Sequence, residues 1–126
     1  EVDSDYTLVV DSDITDLGEA MAAVGFGARE GSDSNFVDQC ARLAPRVRKL
    51  RCLGSAAYDL CNVACGRLSA FYEMRLRPWD IAASHLVLRE AGAAFDAVEV
   101  EPQTWNVVAA APGIVEAFSD LARGGA

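Results

Sequence analysis

The chain has 126 residues, 52% of them hydrophobic and 24% charged, a balance that suits one globular domain and leaves too little chain for two cores of ordinary size. Eleven Lys and Arg stand against nineteen Asp and Glu, a formal net charge of −8, so neither nucleic acid nor an anionic membrane is an expected partner. No run approaches the ~20 apolar residues of a membrane span, no charged-then-apolar leader pattern opens the chain, and the expected compartment is the cytoplasm.

The first third is acidic and turn-rich, with Asp3, Asp5, Asp11, Asp13 and Asp16 around one apolar run, Tyr6–Val10. From about Asn35 onward, helices and strands are expected to alternate. Phe36, Cys40, Leu43 and Val47 form a helical stripe over Asn35–Lys49, which Pro45 ends or kinks. A short strand is predicted over Val47–Leu53. Gly54–Gly66 reads as a helix, because Ala57, Leu60, Cys61 and Ala64 recur at i, i+3, i+4 and i+7 and Gly66 suits its end. Ser69–Met74 reads as a strand with Phe71 and Glu73 on one face and Ala70, Tyr72 and Met74 on the other.

Pro78 suits the first turn of a helix running through Asp80 to about Ala91 and stopping near Gly92. Ile81, Ala82, Ala83, Leu86, Val87 and Leu88 surround it, so burial on more than one side is expected. The connection from Phe95 to Trp105 looks short; Trp105–Ala111 is a last strand and Pro112–Arg123 a closing helix. The alternation predicts an α/β fold, a layered αβα sandwich around a mixed, largely parallel sheet. Cys40, Cys52, Cys61 and Cys65 contain no Cys-x-x-Cys pair, and buried, reduced thiols are expected. Zinc at Cys61 and Cys65 would lack further ligands, because His85 is the only histidine and no second Cys pair follows.

Ligands of open α/β sheets collect beyond the carboxyl ends of the strands. Two strand-to-helix junctions are expected at that edge, Arg51–Ala57 and Tyr72–Asp80. Each of their residues also has a structural reading. Asp80 suits a helix cap or dipole partner, Glu73 a solvated strand position, Gly54 a tight turn and Trp79 packing. His85 lies about 140° around the helix from Asp80, which makes it a poor co-ligand.

These junctions carry a resemblance. Leu53-Gly54-Ser55-Ala56-Ala57-Tyr58-Asp59-Leu60-Cys61, Phe71-Tyr72-Glu73 and Pro78-Trp79-Asp80-Ile81-Ala82-Ala83, followed by Glu90-Ala91-Gly92, resemble the carboxyl-terminal half of the inositol monophosphatase family, in its order and spacing. The resemblance covers roughly Leu17 to the end, and Trp-Asp-x-Ala-Ala resembles the family's second signature. It implies that residues 1–126 are a single domain, the carboxyl-terminal domain of a sugar-phosphatase-like αβαβα fold. It also implies a Mg²⁺-dependent phosphomonoesterase in which two or three Mg²⁺ ions clamp a small phosphorylated alcohol and a metal-activated water attacks phosphorus. By that resemblance Asp80 ligates the second metal and is the catalytic residue. Glu73 hydrogen-bonds a substrate hydroxyl, and Gly54 and Ala56, with Ser55 between them, line the alcohol's pocket.

The chain also departs from the family. Its first signature, Asp-Pro-Ile/Leu-Asp-Gly-Thr/Ser, is absent, and no Asp-Gly dipeptide occurs. The upstream metal-binding glutamate has no counterpart, and the chain opens on Glu1 rather than Met. The amino-terminal half is therefore expected to be a missing partner, without which this segment neither holds Mg²⁺ tightly nor turns over substrate. Ser84 stands where the family usually has Gly, on Asp80's face of the helix, where it is expected to narrow the cleft or bond the carboxylate. Two alternatives remain: a histidinol-phosphate phosphatase of the same superfamily, and a truncated, non-catalytic interaction module whose exposed interface allows a homodimer.

Overall fold

The computed structural model describes residues 8–25 and 33–124. Asp16 accepts the Gly18 N–H and opens a short 3₁₀ turn, Leu17–Glu19, that leads into strand β1, Met21–Val24. Helix α1 spans Asp33–Leu43 and ends before Pro45, as a ring without an N–H requires. Strand β2 is Lys49–Arg51, helix α2 Ala56–Ala64, strand β3 Ala70–Leu76 and helix α3 Pro78–Ala91. A hairpin of β4, Ala94–Glu101, and β5, Thr104–Ala110, precedes helix α4, Val115–Ala122.

The five strands form one mixed sheet in the order β2-β1-β3-β5-β4. Strand β1 pairs in parallel with both β2 and β3, with Ala22 opposite Leu50 and Ala70. Strand β5 runs antiparallel to β3 and to β4. Helices α1 and α4 cover one face, where Leu43, Tyr72, Val108, Ile114 and Phe118 pack. Helices α2 and α3 cover the other with Leu60, Val63, Phe71, Leu88 and Val107. The sandwich and the two faces of β3 thus follow the alternation in the sequence. The Arg42 guanidinium joins α1 to α4 by donating to the carbonyls of Leu121 and Ala122, at 2.9 and 3.0 Å.

Several expectations change. Strand β1 has no counterpart among the predicted elements. Its Met-Ala-Ala-Val sequence carries little β signal, yet small side chains suit a strand covered on both faces, and Ala22 and Ala23 are fully buried. The stretch after Phe95 is not a short connection but most of β4, an edge strand whose Asp96, Glu99 and Glu101 hide its alternation. Helix α3 is buried on one side only: Ile81, Ser84, Leu88 and Ala91 face inward, while Leu86 is 61% exposed. The reason is its place in an outer layer, where α2 and the sheet are its neighbours and leave its other flank uncovered. Trp79, expected to pack, is 74% exposed. Cys52 and Cys61 are exposed as well, and all four thiols are free. Of the apolar run Tyr6–Val10, residues 6 and 7 lie outside the described residues; Val10 is buried and its N–H bonds the Ala91 carbonyl. Among the described residues, no helix is long and apolar enough to cross a membrane.

Candidate active site

Because β1, β2 and β3 are parallel, their carboxyl ends lie at one edge of the sheet. From that edge emerge Gly25 after β1, Cys52–Ser55 after β2, and Arg77 leading into α3 after β3. The two junctions expected from the sequence are therefore brought to the same end of the fold.

At the first junction, Gly54 has φ of +83°, a conformation that favours glycine, and a Cβ added there would meet nothing within 4 Å. Ser55 caps α2, its hydroxyl accepting the Tyr58 N–H at 3.4 Å. Ala56 begins the helix and is half-buried, while Gly54 and Ser55 are exposed. The backbone of Gly54–Ala56 thus borders open space at a helix amino terminus, where N–H groups point outward.

At the second junction, Pro78 occupies the first helical position and Asp80 the first turn. The Asp80 Oδ2 accepts the Arg77 backbone N–H at 3.0 Å, so the structural reading of Asp80 as a helix-start residue holds. That bond fixes the carboxylate's orientation and leaves Oδ1 without a donor among the described residues. Ser84 is buried and, among the described residues, makes no hydrogen bond to Asp80, so of its two expected roles the bond to the carboxylate is not seen. His85 is exposed and stacks on Phe95, with ring centroids 4.2 Å apart.

Glu73 is not the solvated strand residue of its structural reading. Its side chain lies against the backbone of Gly25, and a Cβ at position 25 would overlap the Glu73 carboxylate and its Cγ. Burial, then the charge of Asp59, then that of Asp80 push the Glu73 carboxyl up to about 7. Asp59, in the first turn of α2, is fully buried, and neither of its oxygens has a hydrogen-bond partner among the described residues. Burial raises its carboxyl to about 6.

Sequence reasoning missed both Gly25 and Asp59. Nothing in the local pattern marks Gly25. Asp59 looks like an ordinary first-turn acid, although its spacing from Leu60 and Val63 puts it on the inward side of α2.

The donor set is hard oxygen, which Mg²⁺ prefers, but an octahedral ion needs more donors than are assembled here. Among the described residues, no group of three or more His, Cys, Asp or Glu side chains is placed to hold a metal ion. Asp80 fits one ligand of such a site, and this chain's own described residues do not complete it.

The Inositol monophosphatase family model matches residues 5–122. The inositol-1-monophosphatase SuhB of Mycobacterium tuberculosis is 40% identical over 107 residues, which cover 82% of this chain and 36% of that protein. A solved structure of Mycobacterium tuberculosis SuhB superposes with a TM-score of 0.85 at 36% identity, covering 94% of this chain and 46% of that one. The Nus factor SuhB of Salmonella typhimurium is 36% identical over 107 residues, 82% of this chain and 40% of that protein. The chain therefore spans well under half the length of these curated relatives.

Proposed function

The chain belongs to the inositol monophosphatase family, and we propose that it is the carboxyl-terminal part of a Mg²⁺-dependent phosphomonoesterase acting on inositol monophosphates or a similar small phosphate monoester. Asp80 is then one metal ligand, and the remaining ligands come from protein outside these 126 residues. When bound, such an ion supplies charge for a phosphoryl oxygen and makes a coordinated water more acidic. This chain's own part is to orient. The Arg77 N–H holds Asp80 Oδ2 and turns the carboxylate. Glu73, held against Gly25, receives a substrate hydroxyl. Gly54, Ser55 and Ala56 offer an open backbone surface for the alcohol.

The observation that carries this reading is the convergence of Glu73 and Asp80, close enough for the second to act on the charge of the first, at the edge where Gly54–Ala56 opens α2. A cation would ease the approach of a phosphorylated substrate to a chain of net charge −8, which agrees with a metal-dependent reaction. In the full-length protein, Asp80→Asn should abolish Mg²⁺-dependent phosphate release from inositol 1-phosphate. A variant with near-wild-type kcat would remove Asp80 from the reaction. A clear preference for histidinol phosphate across a substrate panel would replace the inositol reading by its alternative.

A non-catalytic reading has one observation in its favour beside the Nus factor name of a relative. Tyr58, Trp79 and Leu86 leave apolar surface on α2 and α3 uncovered. In the phosphatase reading, the rest of the enzyme covers that flank; in the other, a separate partner or a second copy does. Trp79→Ser with Leu86→Ser in the full-length protein separates them: self-association lost on gel filtration with phosphate release unchanged favours a second copy at this face, and lost phosphate release with an unchanged elution volume favours cover by the rest of the enzyme.

A further inference from the structure

Strand β3 contains an irregularity that determines where its end points. Glu73 pairs with Val107 and Leu76 with Trp105, so three steps along β3 match two along β5. One residue is extra, which defines a β-bulge. Phe71 and Leu76 both pack in the cluster under α2 and α3, although simple alternation would put them on opposite faces. The bulge therefore reverses the parity of the strand. Without it, Arg75 would face that core and Leu76 would turn away.

Arg75 sits at the bulge with φ of 65°, a left-handed conformation that costs a non-glycine residue free energy. Such a conformation persists only where its surroundings fix it. Among the described residues, the β4–β5 hairpin supplies such contacts. The Arg75 backbone N–H, displaced from the strand ladder, donates to Asn106 Oδ1 at 3.0 Å. The Arg75 guanidinium donates to both Glu101 carboxylate oxygens, at 3.1 and 3.0 Å. Two residues further on, the Arg77 guanidinium donates to the buried Thr104 hydroxyl at 3.0 Å, and the Arg77 backbone N–H holds Asp80.

We propose that Asn106 is a positioning residue, which locks the Arg75 bulge and through it sets where Asp80 stands relative to Glu73. This rests on the phosphatase reading for its functional consequence, but its structural content is independent of it. Among the described residues, Asn106 makes no hydrogen bond to either carboxylate. It acts by accepting the Arg75 N–H beside the register shift, which gives the left-handed residue a fixed partner on β5 in place of solvent. The bidentate Arg75–Glu101 pair restrains the same residue through its side chain, whereas Asn106 holds the backbone itself.

Asn106→Ala and Asn106→Asp in the full-length protein test this, the second keeping an acceptor in the same place. Amide hydrogen exchange reads the geometry without substrate, because the Arg77 amide reports where the Asp80 carboxylate lies. Exchange at both Arg75 and Arg77 should accelerate about tenfold in Asn106→Ala, roughly the loss of one hydrogen bond, and return to the wild-type rate in Asn106→Asp. In the same proteins kcat and Mg²⁺ affinity by calorimetry should fall about tenfold in the alanine variant, since small misplacements of reacting groups are costly, and recover in the aspartate variant. Acceleration confined to Arg75, with kcat and affinity within twofold of wild type, overturns the positioning role. If Asn106→Ala does not fold, Asn106→Asp decides, and loss of Arg77 protection or of kcat there overturns it equally. A wild-type protein without turnover or Mg²⁺ binding would refute the phosphatase reading while the exchange rates still test the bulge.

Discussion

Asp59 supplies the sharpest test of the electrostatics at this edge. Its carboxyl is fully buried and has no partner among the described residues, and burial raises it from 3.8 to about 6. A carboxyl whose folded value is raised binds protons in the native state that the unfolded chain has already lost, so stability falls as pH climbs from 3.8 to about 6. At about 1.4 kcal/mol for each tenfold change in proton affinity, that displacement corresponds to about 3 kcal/mol of stability lost on the alkaline side. Asp59→Asn removes the charge and keeps the shape. Its cost as an unpartnered amide is the same at every pH, so the informative quantity is the change in its ΔΔG with pH. Urea unfolding of the chain, followed by circular dichroism at about pH 3.5 and about pH 8, should show the variant gaining about 3 kcal/mol relative to wild type between the two conditions. Loss of the Asp59 charge also relieves Glu73, whose carboxyl Asp59 helps to raise, so the coupling adds to the gain. A difference below about 1 kcal/mol, less than a tenfold change in proton affinity supplies, would refute the reasoning, because the charge would then be compensated inside the fold.

Two further substitutions probe the packing of the site. Gly25→Ala places a methyl where the Glu73 carboxylate lies, so it should cost about 1–3 kcal/mol of overpacking in urea unfolding and lower activity in the full-length protein. Unchanged stability and activity would show that Glu73 does not rest on the Gly25 backbone. Ser55→Ala removes the cap of α2, whose bond is long at 3.4 Å, so a loss of about 0.5–1 kcal/mol is expected, at the low end for caps. A loss of about 2 kcal/mol or more would give the hydroxyl a second structural role.

Much of this edge is legible in the sequence because its signals are local. Pro78 at a first helical position and Gly92 at φ 85° mark the two ends of α3 in the sequence as in the fold. Alternation places Phe71 and Glu73 on one face of β3. What stays hidden depends on distant contacts. Met21–Val24 is a strand because β2 and β3 flank it and helices cover it, not because Ala favours strands. The bulge is invisible because Arg75 occupies a position where glycine would have announced the turn, and the predicted strand accordingly stops at Met74. The uncovered flank of α3 escapes notice for the opposite reason: its apolar residues are evident, but a sequence does not say how many neighbours a helix has within one chain.

The helix-start role observed for Asp80 is compatible with its proposed role as a metal ligand. A free carboxylate on a surface helix rotates, and an ion that must halt that rotation gives up binding free energy to do so. Asp80 has one oxygen already fixed by the Arg77 N–H, and Arg77 is fixed in turn by Thr104, so the other oxygen is presented before any cation arrives. Glu73 shows the converse cost: burial first, then the charges of Asp59 and Asp80, raise its carboxyl, whereas burial alone raises that of Asp59. In the proposed enzyme both are met by the same event. A cation held by Asp80 and by ligands outside these residues would offset the charge that Asp59 and Asp80 place near Glu73, and would tie this part to the rest of the enzyme. Metal affinity and docking of the halves are therefore linked, each strengthening the other. Charge removed from Asp59 should accordingly weaken that linkage even though Asp59 itself ligates nothing.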